Sequence, residues 1–462
     1  MSGREGTQYR FGPRERGGGL AGWRAGQILT VAVGLVFGVL VLRWSPDALG
    51  VVAAVGILVL YGALATVPVA GRTGDEWLPV VVCWGARRTG ARAGGGAAGR
   101  TRTGMFRGVR FLRAGWRDMG VVHDRVARTL TAALTLRGGS FALLGADEQD
   151  RRVGAWASVL ASLAREGSSV HRVQWVAASF PDDGSSVRSY FASDAVTRVA
   201  PACTASYEAL LAEMDSRTSA HDVVLAVQVR TTRSVEVGCA ALAREVESLL
   251  RLLGDADVRV ASLLSADDLA LQLLRTYEPR VGTSEARVPT PVLDPWPMAV
   301  EERWSSVRVD GMVHATFWVS EWPRVEVRSD FLAPLLLGAA RSTFSVVMEP
   351  LGSDAAVRKV EASRTADLAD AELRRRGGFV STARHARESE VLARREAELA
   401  EGHASFRYSG YVTVSAPTDE ELESAIDVVQ HAAGQSRLAL RRLYGDQASA
   451  YTCTLPLCRG LR

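Results

Sequence analysis

Lysine is almost absent. Of 462 residues, 55 are basic, and Lys359 is the one lysine. A P-loop needs G-x-x-x-x-G-K-[ST], because its lysine must reach the phosphates. Arg358 stands before Lys359 where that motif demands glycine, and Val360 follows where it demands Ser or Thr. A Walker A nucleotide site is therefore excluded. Cysteine is scarce as well. Cys83, Cys203, Cys239, Cys453 and Cys458 are odd in number and scattered, which excludes a disulfide framework. Cys453 and Cys458 have no second Cys/His pair nearby, and a structural zinc needs four ligands. No H-E-x-x-H and no G-x-S-x-G occurs, and the seven histidines lack metal spacing. Asp182-Asp183 and Asp267-Asp268 read as turn and helix-start acids, and Gly138-Gly139-Ser140 as a turn. The expectation is no catalytic activity, no cofactor and no metal.

What the chain does have is a long apolar stretch. Gln27 to Leu42 carries no charge, and Leu49 to Ala70 carries none over 22 residues. A span of about 20 residues crosses the roughly 30 Å hydrocarbon core. The shorter run reaches that length when Ala25-Gly26 are counted and Arg24 and Arg43 snorkel to the headgroups. Arg43 to Ala48, with Ser-Pro-Asp inside, suits a tight turn. A transmembrane helical hairpin is predicted over 25–72, with Arg24, Arg43 and Trp44 among its anchors. Arginines flank both outer ends of the hairpin, while the link holds one Arg against one Asp. By the positive-inside rule both termini lie in the cytoplasm. The cell membrane, crossed twice, is the expected location.

Charge divides the chain. Residues 1–117 hold 16 arginines against five acids, and the remainder holds 39 basic residues against 46 acidic ones. A soluble body with that balance lacks the basic face that nucleic acid requires. Residues 1–24 form a basic, Gly-rich arm. Residues 73–117 read as a juxtamembrane basic helix and linker. Trp77 and Trp84 are seven apart, so both share one helical face, expected at headgroup level as further anchors. From Trp77 to Arg117 there is no acid but nine arginines: Arg87, Arg88, Arg92, Arg100, Arg102, Arg107, Arg110, Arg113 and Arg117. Anionic lipid is their expected contact, at about 1 kcal/mol each near a charged leaflet. Single-stranded DNA is the less favoured one.

The rest reads as α+β: two cytoplasmic units of ferredoxin-like type. In the first, over 118–278, strands are predicted at 128–137, 140–144, 170–180, 222–230 and 258–264. Helices are predicted at 147–165, 204–217, 235–253 and 266–277, a βαββαβ order. Residues 279–303 are a Pro-rich linker, with five of the 16 prolines between 278 and 303. The second unit, 304–458, has a hairpin turning at Asp310-Gly311 and a short helix at 331–337. Strands are expected at 342–350, 405–415 and 438–442. A long helical hairpin lies around Gly377-Gly378, and a helix is capped by Thr418 with Glu421.

Certain blocks carry a resemblance. Tyr9-Arg10-Phe11-Gly12, the hairpin, Pro68-Val69-Ala70-Gly71-Arg72 and Glu76-Trp77-Leu78-Pro79 resemble the actinobacterial PrgI-type membrane proteins of conjugative type IV secretion loci. Val319-Ser320-Glu321-Trp322-Pro323, Met348-Glu349-Pro350 and Thr454-Leu455-Pro456-Leu457 are similar to the N-terminal, non-motor domain of conjugative-transfer ATPases. The resemblance implies a noncatalytic inner-membrane scaffold that docks a separate cytoplasmic ATPase, with Glu321, Trp322 and Pro323 as docking residues. It also implies other inner-membrane subunits as partners, and homo-oligomers within the complex. The layout is also similar to the E component of actinobacterial type VII secretion machines. A membrane-anchored enzyme is the third reading, opposed by the missing site residues.

Overall fold

The computed structural model describes residues 25–93, 104–137, 144–181, 219–231, 234–278, 295–352 and 404–461, with isolated positions between them. Arg24, Arg100, Arg102 and most of the expected helices at 204–217 and 354–401 lie outside the described residues.

The chain begins with two apolar helices, α1 (Ala25–Trp44) and α2 (Ala48–Thr66). Both are long and apolar enough to cross a membrane. They pack on each other through Gly34, where a Cβ would meet the Tyr61 side chain at 2.5 Å. Phe37 stacks on Tyr61 with centroids 6.3 Å apart. Their outer faces are bare: Leu29 is 65% exposed, Val36 62% and Val52 72%. α3 (Gly74–Ala93) follows, so the first residues of the expected flexible linker, Gly90 to Ala93, are helical.

A mixed α+β body comes next, built on one antiparallel sheet. Its first half contains β1 (Val109–Arg113), β2 (Gly120–Asp124), β3 (Thr129–Arg137), α4 (Ala146–Leu163), β4 (Val170–Pro181), β5 (Ser219–Arg230), α5 (Val235–Asp255), β6 (Arg259–Leu263) and α6 (Ala266–Tyr277). Its second half contains β7 (Val300–Glu302), β8 (Val307–Val309), β9 (Met312–Glu321), α7 (Ala333–Leu336), β10 (Ser342–Leu351), β11 (Ser405–Ala416), α8 (Asp419–Gln435), β12 (Ala439–Arg442) and α9 (Gln447–Tyr451). The spatial order is β1-β2-β3-β5-β4-β10-β11-β9-β8-β7. β6 joins β3 beyond β2, and β12 joins β9 beyond β8. The order is palindromic: each half repeats the other about the β4–β10 seam, where Ser342 faces Ser179 and Met348 faces Val173. The Pro-rich stretch divides the sequence, while the sheet runs across that division. Residues 295–303 are packed rather than loose: Trp296 stacks on Phe111 at 5.2 Å, and β7 closes one sheet edge.

Alternation explains the layering. In β9, Val313, Ala315, Phe317 and Val319 point to one core beneath α8, and His314 and Thr316 point the other way. α8 starts at Thr418, whose side chain accepts from Glu421 N at 3.2 Å, and three acids occupy its first turn. α4 and α5 cover the same face of the first half, where Leu242 and Leu249 of α5 pack with Leu130 of β3 and Leu225 of β5. α6 is fixed by a Ser265–Asp268 capping box and covers the opposite face. Phe141 and Leu144 are not in a strand, unlike the expectation for 140–144. Residues 107–117 also depart from the expected linker. Val109–Arg113 is the edge strand β1, because Phe106 and Val109 are fully buried in the core beside α6.

The C-terminal tail seals the face opposite α8, and buried polar side chains hold it. Gln174 Nε2 donates to Ser345 Oγ (2.8 Å) and Cys453 O (2.9 Å), and Gln174 Oε1 accepts from Cys458 N (2.6 Å). Gln228 donates to Leu457 O at 3.1 Å. Arg459 pairs with Asp124 at 2.6 Å, and Tyr411 donates to Gly460 O. Backbone groups of a segment that, past a short 3-10 turn at Thr452–Thr454, is neither helix nor strand are satisfied in this way inside the protein. Gln174→Leu should therefore cost about 2–4 kcal/mol, since it orphans several buried groups at once. A denaturant midpoint unchanged from wild type would contradict this role of the tail.

His314 is fully buried. Its Nδ1 lies 2.8 Å from Ser415 Oγ, and its Nε2 has no hydrogen-bond partner among the described residues. Burial, reinforced by Arg341, pushes its pKa down to about 3. The folded value lies below the unfolded one, so the unfolded state takes the proton first. Stability from this group is complete above about pH 6.5 and is lost as pH falls from there toward 3, by at most about 1.4 kcal/mol per pH unit. Stability measured from pH 7 to 5 should fall less steeply in His314→Gln than in wild type; equal slopes would refute it.

Candidate functional site: the joint between hairpin and sheet

Three helix ends meet where the hairpin reaches the body. Val69 and Arg72 exchange two backbone hydrogen bonds around Ala70 and Gly71, both at positive φ, which reverses the chain between α2 and α3. Gln27 Nε2 donates to Ala65 O at 2.8 Å, tying the start of α1 to the end of α2. Gly74 lies against Leu64, where a Cβ would sit 2.6 Å from Leu64 Cδ2. Thr73 Oγ donates to Asp75 at the start of α3.

α3 then docks on the sheet through aromatic rings. Trp77 stacks on Trp304 with centroids 5.6 Å apart and planes at 25°. Trp84 meets the same ring edge-on at 5.2 Å. Tyr444 closes the cluster, 6.2 Å from Trp304 and 5.9 Å from Trp77. Trp77 Nε1 donates to Val69 O at 2.9 Å, and the Arg72 guanidinium lies 5.3 Å over its ring. Gly445 allows the close approach: at φ +70, a Cβ there would lie 2.7 Å from the Trp304 ring and 2.9 Å from Val80. Its N–H donates to Trp304 O at 2.7 Å. Arg441 adds a polar clasp, donating to Gly71 O at 3.1 Å with Glu76 at 3.7 Å, while its guanidinium covers the Trp318 ring at 4.7 Å. Arg303, ahead of β8, and Arg308, in its middle, both reach Asp419 at the start of α8.

This corrects one expectation. Trp77 and Trp84 do share a face of α3, and that face meets the body instead of standing free at headgroup level. The flank beside that face carries Leu78 (66% exposed), Val81 and Val82, bare and apolar. Arg43 and Trp44 end α1, and Trp44 is exposed. Arg87, Arg88 and Arg92 fall on the later turns of α3. Arg107, Arg110, Arg113 and Arg117 belong to the β1 region, with Arg113 bound to Asp267 at 2.7 Å and Arg117 over the Trp116 ring. The seven of these arginines that fall among the described residues thus divide between two places.

The expected docking residues also differ in kind. Glu321 is exposed and pairs with Arg324 at 2.7 Å. Trp322 lies edge-on to Tyr408 at 5.4 Å and over Gly410, and Pro323 is buried, so two of the three turn inward. Among the described residues, no three His, Cys, Asp or Glu side chains stand together as a metal site would need.

The chain matches no protein-family model and no curated protein. Sequence reading missed Trp304, Tyr444, Gly445 and Arg441 because they lie far from Trp77 in the chain. The visible signal was half of the cluster, the Trp77–Trp84 spacing.

Stacked and edge-on ring pairs are each worth about 0.5–1.5 kcal/mol beyond burial. Trp304→Ala removes three such contacts and should loosen α3 by about 2–4 kcal/mol. Amide exchange in residues 74–86 should rise while β9 to β11 stay protected. Unchanged exchange in α3 would show that the rings do not hold it.

Proposed function

We propose that this chain is a noncatalytic inner-membrane scaffold of a conjugative or related secretion apparatus, and that its sheet body mounts a separate cytoplasmic ATPase. One observation carries the reading: the bare apolar hairpin is clamped to the sheet by the Trp77–Trp84–Trp304–Tyr444 cluster. A load on the sheet is then passed to two lipid-buried helices without a hinge in between. The lone-lysine composition and the resemblance of residues 9–88 and 300–458 support the same assignment. In this reading α1 and α2 span the bilayer and both termini stay in the cytoplasm. α3 lies along the surface with Leu78, Val81 and Val82 toward the acyl boundary. Arg87, Arg88 and Arg92 face anionic lipid, and the acidic balance of the body disfavours DNA.

We further infer that the two halves are ferredoxin-like units. In each, the first strand lies between the third and fourth and the second lies outside the third, as β6-β3-β5-β4 and β12-β9-β11-β10. The type VII E component is the second reading, because it shares the two-span layout. Neighbouring genes discriminate the two: a conjugative motor ATPase supports the first, and a small secreted WxG-type pair supports the second.

Deleting residues 25–72 tests the mount. The neighbouring ATPase should leave the membrane pellet together with the shortened protein and still co-purify with it. An ATPase that stays in the pellet, or that no longer binds the shortened protein, would count against the scaffold.

A further inference from the structure

A cleft opens on the tail side of the sheet, at the β4–β10 seam. Residues of α6, β4, β10, β11 and the C-terminal tail line it. Two arginines and a set of hydroxyls dominate the lining. Arg341 stands just before β10, half-buried, and burial pushes its guanidinium pKa down. Its one hydrogen bond runs from Nη2 to Arg275 O at 2.6 Å, and no carboxylate among the described residues pairs with it. Arg275 reaches Asp222 at a long 3.6 Å, and its buried Nε has no partner among the described residues. Thr343, Thr413, Ser415 and Tyr451 add hydroxyls around them. Tyr451 Oη lies 2.5 Å from Thr276 Oγ1, and Thr413 Oγ1 lies 2.8 Å from Thr454 Oγ1. Among the described residues, Asp222 is the single carboxylate paired here against two guanidinium groups.

We propose that this cleft binds a phosphate group. A half-buried guanidinium without a carboxylate partner has lost part of its hydration with no ion pair to replace it, so an anion there is favoured. Guanidinium forks match the oxygens of phosphate, and charge-assisted hydrogen bonds are the strong ones. The cleft offers more donors than a two-oxygen carboxylate can use: the unengaged N–H groups of two guanidinium groups and the Thr343 hydroxyl, while the O–H groups of Tyr451 and Thr413 are directed to Thr276 and Thr454. The site joins both halves of the sheet, with Arg275 from the first and Arg341 from the second, so an occupant ties the seam. It stands apart from the membrane joint and does not depend on the scaffold reading.

The test uses the full chain in detergent, with inorganic phosphate as probe and chloride at matched ionic strength as control. Phosphate should raise the melting temperature and show saturable binding by calorimetry. Arg341→Gln should weaken binding at least about tenfold, the loss of one charged hydrogen-bond donor. Arg113→Gln, which alters an exposed pair on β1, should leave it unchanged. Should Arg341→Gln fail to fold, Thr343→Val, which removes only a hydroxyl, should weaken binding severalfold. Dihexanoyl phosphatidic acid, if it competes with phosphate, assigns the bound group to a lipid headgroup; without competition, the group belongs to a soluble phosphate. Equal effects of phosphate and chloride, or wild-type affinity in a folded Arg341→Gln, would overturn the proposal.

Discussion

Trp304 sits between the apolar hairpin end of the chain and the sheet, and the rest of the architecture depends on what it touches. Trp77 and Trp84 reach it from α3, and Tyr444 from the turn after β12. Ring packing of this kind is rigid because the side chains have few rotatable bonds and large contact area. The polar clasp of Arg441 on Gly71 and Glu76 adds direction. Without that joint, α3 would be a tether, and the hairpin and the body would move independently.

The sheet is the second constraint. β4 and β10 would each be an exposed edge if their halves stood alone, and an unpaired edge is a liability. Pairing them gives a continuous platform whose two ends carry related meanders, β1-β2 and β7-β8. The tail then runs under the seam, held by Gln174 and Gln228 from the first half and by Tyr411 and Thr413 from the second. A platform stapled in this way suits a load-bearing part better than two beads on a linker.

Much of this was legible locally. The two apolar runs became α1 and α2. The period-2 runs became β3, β4, β5, β9, β10 and β11, and the Asp310-Gly311 turn and the Thr418 cap stand where the residues put them. Alternation and capping are short-range signals, so short-range reading finds them. Pairing partners are not. Nothing in Val170–Pro181 says that its neighbour is Ser342–Leu351, and nothing near Trp77 names Trp304. Short strands such as β1 and β7 carry too few residues to show a period. The docking role expected for Trp322 and Pro323 rested on resemblance, and their inward packing against Tyr408 and Gly410 was invisible without the fold. The arginines of the cleft, Arg275 and Arg341, carried no pattern at all; only the seam brings them together.

The central claim is that the clamped hairpin crosses the bilayer and leaves the joint and the body on the inner side. Labelling with a membrane-impermeant maleimide addresses it most directly. Asp47→Cys marks the link between α1 and α2, and the exposed Cys83 on α3 marks the joint. In intact cells the account predicts that Asp47→Cys is labelled and that Cys83 reacts only after permeabilisation. Labelling of Cys83 in intact cells, or protection of the link, would contradict it.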